Sequence, residues 1–110
     1  MSKTVQIPKG RRAQPIDHQK AHEIQAFGQL IRRPIGLSEK VAGKSVENLN
    51  QVLADTMTLR DLYKKHHWQV AGPTFYQLHL LFDKHYEEQV ALVDEIAERI
   101  QLLGGLSIAM

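Results

Sequence analysis

A Gly72-Pro73 pair separates two long stretches whose apolar residues recur at threes and fours. Proline lacks an amide proton and its ring clashes with the preceding helical turn, so a single smooth helix cannot cross this point. On each side the period is nonetheless helical. After the break it runs through Phe75, Leu78, Phe82, Val90, Val93, Ala97, Ile100 and Leu103. Thr74 with Gln77 three residues on reads as a capping box, and Gly104-Gly105 supplies a stop. The implied helix is about 45 Å long. Before the break, Ser45 opens a first long helix carrying Val46, Leu49, Leu53, Met57 and Tyr63 toward His67 and Val70. The connection Gln69–Pro73 is short and polar, which leaves a tight reversal into an antiparallel partner.

The chemistry-bearing residues cluster around this reversal. His67 and His79 lie twelve apart, Asp83 follows, and Asp94 and Glu98 come later. His79 with Asp83, and Asp94 with Glu98, are i,i+4 neighbours bordering the apolar stripe. Imidazoles and carboxylates in a chain without cysteine suit iron, zinc or manganese. Asp83 and Asp94 are eleven residues apart, about 16 Å along one helix. Ligands of one ion lie within roughly 2–2.5 Å of it, so the two couples of one helix cannot share an ion. If they form one site, the second couple comes from another copy, antiparallel about a two-fold axis that creates two equivalent sites. Taken singly, each histidine is more often a hydrogen-bonded boundary residue, and Asp94 and Glu98 a solvated face. Their residue types suit a metal site, and spacing alone leaves both readings open. His66 and His85 have no partner by spacing and read as surface residues; Lys64, one turn before His67, reads as a solvated lysine rather than as a group supporting the metal ligands, which is the alternative.

Over Leu49 to Gly105 these motifs resemble the Dps family, the mini-ferritins. His67-Trp68, Gly72-Pro73-x-Phe75, Leu78-His79 and Asp94-Glu95-Ile96-Ala97-Glu98-Arg99 match its pattern in order and spacing. The resemblance implies an all-α, ferritin-like four-helix bundle, of which this chain supplies the first two long helices and an N-terminal arm. It implies that His67, His79 and Asp83 of one subunit and Asp94 and Glu98 of its two-fold mate bind iron as ferroxidase ligands. Zinc or manganese are possible substitutes. Hydrogen peroxide is the implied oxidant, Trp68 a trap for escaping radicals, and a hollow dodecamer the implied assembly.

The chain divides into an arm, residues 1–43, and a helical hairpin, residues 44–110. Eight Lys and Arg against three Asp and Glu make the arm basic, while six against nine make the remainder acidic. Lys3, Lys9, Arg11 and Arg12 can meet phosphates through counterion release, and no groove-reading motif is present, so contact with DNA would ignore sequence. A DNA-compacting nucleoid protein is therefore the alternative to an iron-oxidising one. Within the arm, Ile16 to Ile31 has helical spacing, with Asp17 as N-cap and Pro34 as a stop. His18 and His22 are i,i+4 on it and form a possible second metal site, although two surface histidines are the plainer reading. Residues 37–44 read as a polar connector broken by Gly43.

No apolar run approaches the ~18 residues of a membrane span, and the start lacks the apolar core of a signal peptide. A cytoplasmic, nucleoid-associated location is the expectation that the resemblance adds. Two helices with an apolar stripe each cannot close a core on their own. A separate polypeptide carrying two further helices is the expected completion. A longer chain, or two hairpins making one bundle, are the alternatives.

Overall fold

Ser38 starts the first helix. Its side-chain oxygen accepts a hydrogen bond from the Val41 amide at 3.2 Å, and Glu39 sets a negative charge against the positive helix end. Helix α1 then runs Glu39–Gln69 in the computed structural model, which describes residues 22–109. The start is earlier than the expected Ser45, and Gly43 lies inside the helix instead of breaking it. An interior glycine costs about 1 kcal/mol relative to alanine. Burial of its neighbour Ala42 offsets this.

Val70 ends α1 with its amide on the His66 carbonyl at 2.9 Å, and Gly72 turns the chain at a φ of 100°. That left-handed conformation favours glycine. Helix α2 spans Phe75–Leu102. Thr74 takes the N-cap position, but its side chain makes no capping bond, so the expected capping box with Gln77 does not form. A backbone turn leads into the helix, with the Phe75 amide donating to the Gly72 carbonyl at 3.1 Å. The other end is a Schellman motif, with the Gly105 amide on the Ile100 carbonyl at 3.1 Å and the Gly104 amide on that of Gln101 at 3.0 Å. The Gly104-Gly105 stop is as expected.

His67 faces His79, Lys64 faces Asp83, and Val46 lies against Gly105, so the helices are antiparallel. The all-α expectation holds, with no strand among the described residues. Nor is any described helix long and apolar enough to cross a membrane.

The short helix expected over Ile16 to Ile31 is not formed in its described part, residues 22–31, which are bends and a turn. Gly28 adopts a φ of 87°, and the Ile31 amide donates to the Gly104 carbonyl at 2.8 Å. Gln25 Nε2 donates to the same carbonyl at 2.9 Å. Docking on the end of α2 has thus overridden the local period. Beyond α2, the Asn50 amide grips the chain at two points. It donates to the Leu106 carbonyl at 3.0 Å and accepts from the Ile108 amide at 2.8 Å.

The half of the hairpin remote from the reversal holds the buried hydrophobic residues of the described chain: Ala42, Ile100 and, near the middle of α1, Leu53. Elsewhere Val52, Leu59 and Leu62 on α1 and Leu80, Leu81 and Leu92 on α2 are exposed. An apolar surface of that extent marks a contact face.

Two glycines separate the docked strap from helix propensity. A Cβ on Gly104, at a φ of 94°, would fall onto the Ile31 carbonyl oxygen, whereas one on Gly43 would meet nothing within 4 Å. Gly104→Ala is expected to destabilise the fold by about 2 kcal/mol or more. Gly43→Ala should stabilise it by ~1 kcal/mol. Urea melts followed by circular dichroism measure both.

Candidate metal centre

The reversal places the last turn of α1 against the first turns of α2. His67 stands in the former and His79 in the latter, and their imidazoles stack with centroids 3.7 Å apart and planes at 18°. Each ring bonds to the other's backbone. His67 Nδ1 donates to the His79 carbonyl at 2.7 Å, and His79 Nδ1 donates to the His67 carbonyl at 2.9 Å. A carbonyl only accepts, so both Nδ1 atoms carry protons. In the neutral ring the lone pair is then on Nε2, where a metal would bind. The His67 carbonyl is also among the last four of α1, which lack intrahelical partners, so the clamp closes a helix end. Phe75 supports it, its ring stacked 5.0 Å from that of His79.

Asp83 turns to a cation. Its Oδ1 accepts from Lys64 Nζ at 2.6 Å, and the same ammonium sits 4.2 Å from the centre of the Tyr86 ring. The hydrogen bond from Lys64 holds the Asp83 carboxyl below the usual carboxylate range; partial burial opposes this, and the charges of Lys64, His67 and His79 add to it. Lys64 is raised by the hydrogen bond to Asp83, against a smaller opposing effect of burial. The reading of Lys64 as a solvated lysine is therefore corrected. The signal was present in the sequence: the register that sets His67 opposite His79 also sets Lys64 opposite Asp83.

Within one chain the site residues do not all meet. Among the described residues, no three of His, Asp and Glu are placed to hold one ion. His67 and His79 come together, Asp83 is turned to Lys64, and Asp94 and Glu98 lie exposed farther along α2. Asp94 borders an open groove of about 480 Å³. Trp68, next to His67, is 72% exposed. His66 is exposed, but His85 is not without a partner: its Nδ1 donates to Glu88, three residues on along the same helix, at 3.2 Å. His22 is exposed and lies on no helix, so the helical spacing that paired it with His18 fails at its end. His18, Lys3, Lys9, Arg11 and Arg12 lie outside the described residues.

The Lys64–Asp83 pair sets a pH dependence. A depressed carboxyl pKa contributes stability above the ordinary carboxylate value, lost as pH falls through the folded value. The raised Lys64 contributes stability below the ordinary lysine value, lost as pH rises through its own folded value. Lys64→Met should move the Asp83 titration upward, toward an ordinary carboxylate, and remove its share of the acid sensitivity. Carbon-13 NMR of the Asp83 carboxyl across the acid range reads this directly.

The geometry can be set beside known proteins. A family model described as Ferritin-like domain matches residues 46–110, more than half of the chain. A protein from Kitasatospora aureofaciens is 56% identical over 96 residues, covering 87% of this chain and 64% of that protein. DNA protection during starvation protein 1 from Deinococcus radiodurans is 35% identical over 100 residues, 91% of this chain and 48% of its own length. Among solved structures, DpsC from Streptomyces coelicolor aligns with a TM-score of 0.79 and 50% identity, over 81% of this chain and 52% of that one. The chain spans about half the length of DpsC and of the Deinococcus protein. With its two antiparallel helices and these matches, the chain belongs to the ferritin-like family, and its relatives and structural neighbours are Dps proteins.

Proposed function

We propose that this protein is an iron-oxidising and iron-storing mini-ferritin that protects against peroxide. Its substrate, ferrous iron, is held between two copies of the chain. The observation that carries this reading is the mutual clamp of His67 and His79, which leaves both Nε2 atoms available as neutral donors. Exposed Asp94 and Glu98 are free to supply anionic oxygens to a two-fold mate. Anionic oxygens stabilise ferric over ferrous iron and so favour electron loss. Two ferrous ions give one electron each to a molecule of hydrogen peroxide, and two protons complete its conversion to two waters. Asp83, released from Lys64, adds an oxygen donor from the histidine side, and Glu98 is suited to bridge a second ion. Nearby Trp68 could intercept a radical that escapes.

Assembly into a dodecameric cage, with the ferric product stored inside, extends the reading. The exposed apolar faces of α1 and α2 are covered in it by two further helices, from a second polypeptide or a longer chain. A cytoplasmic, nucleoid-associated location accompanies it. A second reading draws on the name of a relative from Nostoc, 41% identical over 86 residues, called a nutrient stress-induced DNA-binding protein. It makes the basic arm a sequence-independent DNA contact, and salt-dependent retardation of plasmid DNA would separate it from the first.

The shared site is tested by mixing. A His67→Ala/His79→Ala chain and an Asp94→Ala/Glu98→Ala chain each lack half of every site. Co-refolded in equal amounts, half of the pairs are mixed, and each mixed pair carries one complete site of two. About a quarter of the wild-type rate should return. Full activity of either variant alone, or inactive mixtures despite verified co-assembly, would contradict a site shared between copies.

A further inference from the structure

We propose that Phe75 is a positioning residue for the metal centre: its ring covers the face of His79 that His67 leaves open, and so locks the tautomer that presents Nε2 to a metal. The inference rests on the proposed role of His79 as a ligand. Phe75 is the first residue of α2, set there by the turn at Gly72 and by its amide on the Gly72 carbonyl at 3.1 Å. His79 follows four residues on, one turn along the same face. A helical side chain leans back over the turn before it, so the imidazole comes down on the phenyl. Their centroids are 5.0 Å apart, with the planes at 29°.

His79 is thereby held between two rings. His67 stacks on it at 3.7 Å, and one face of a five-membered ring has room for one partner at that spacing, so Phe75 takes the other. The bond from His79 Nδ1 to the His67 carbonyl orients the imidazole only while the ring keeps its plane. A half-turn about Cβ–Cγ would set carbon against that carbonyl and carbon where Nε2 points. The neutral imidazole could then carry its proton on either nitrogen. To make that half-turn, the ring edge has to sweep through the space that Phe75 fills. The phenyl is 41% exposed, so the hairpin core is not what it serves. It lies across His79 and keeps water off that face of the imidazole.

Nitrogen-15 NMR of the histidine rings in the full chain reads the tautomer, and zinc titration of the same samples reads the ligand. The wild type is expected to hold His79 in the Nδ1–H form. Phe75→Ala should turn this into a mixture of tautomers and weaken zinc binding about tenfold, the lower end of what losing a supporting group costs a metal site. Helix content should not change. Phe75→Leu keeps apolar bulk without a flat ring; it should behave as alanine does, and it serves as the second variant should the first not fold. Phe75→Tyr keeps the ring and should restore both the tautomer and the affinity. An alanine or leucine variant with the wild-type tautomer and zinc affinity overturns the proposal, and so does a tyrosine variant that restores neither. The metal site and its support fail separately. A locked tautomer in a wild-type chain that binds no zinc removes the metal site and leaves the hold of Phe75 on His79. Zinc binding that is indifferent to Phe75 leaves the metal site and removes the positioning residue.

Discussion

The reciprocal bonds between His67 and His79 tie the hairpin together where its two helices meet. Each ring satisfies the other's carbonyl, so neither histidine can move without breaking two hydrogen bonds and a stack. That fixes the register of α2 on α1, and with it the pairing of Lys64 with Asp83 one turn away. The same bonds decide which nitrogen of each ring is available. A fold constraint and a ligand orientation are thus one interaction.

The two ends of the hairpin are built differently. At the end remote from the reversal, the strap docked on Gly104 and the chain gripped by Asn50 cover the helices, and the buried hydrophobic residues lie in that half of the hairpin. At the reversal, polar contacts do the holding while Trp68, Phe75 and Tyr76 remain exposed. The end that carries His67, His79 and Asp83 thus keeps aromatic surface open to another molecule, while Asp94 and Glu98 lie toward the other end of α2. An exposed tryptophan beside a half-complete ligand set makes the same point locally.

Much of this was legible in the sequence, because it rests on local rules. Gly72-Pro73 announced the reversal, and the period of three and four announced both helices. The distance from Asp83 to Asp94 requires a second copy if the two ligand couples form one site. What was misread depends on contacts between segments distant in the chain. The arm has the spacing of a helix, but Ile31 bonds to Gly104 and Gly28 bends the backbone. Gly43 resembles a break, but Ser38 caps the helix five residues earlier and Ala42 is buried. Lys64 resembles a solvated lysine until α2 is laid beside it. The Thr74 cap failed for a local reason, since its backbone, at φ −101° and ψ 16°, lacks the extended conformation from which an N-cap side chain reaches the second or third amide.

The central claim is that one metal site draws on two copies of the chain. Anomalous diffraction from crystals of the assembled protein, grown with zinc as a redox-inert stand-in for ferrous iron, tests it most directly. The account predicts a peak on each side of a two-fold axis, within ~2.0–2.2 Å of a histidine Nε2 from His67 or His79 and of an Asp94 or Glu98 oxygen of the mate. A metal bound wholly by one copy, or ligated through Nδ1, would contradict it.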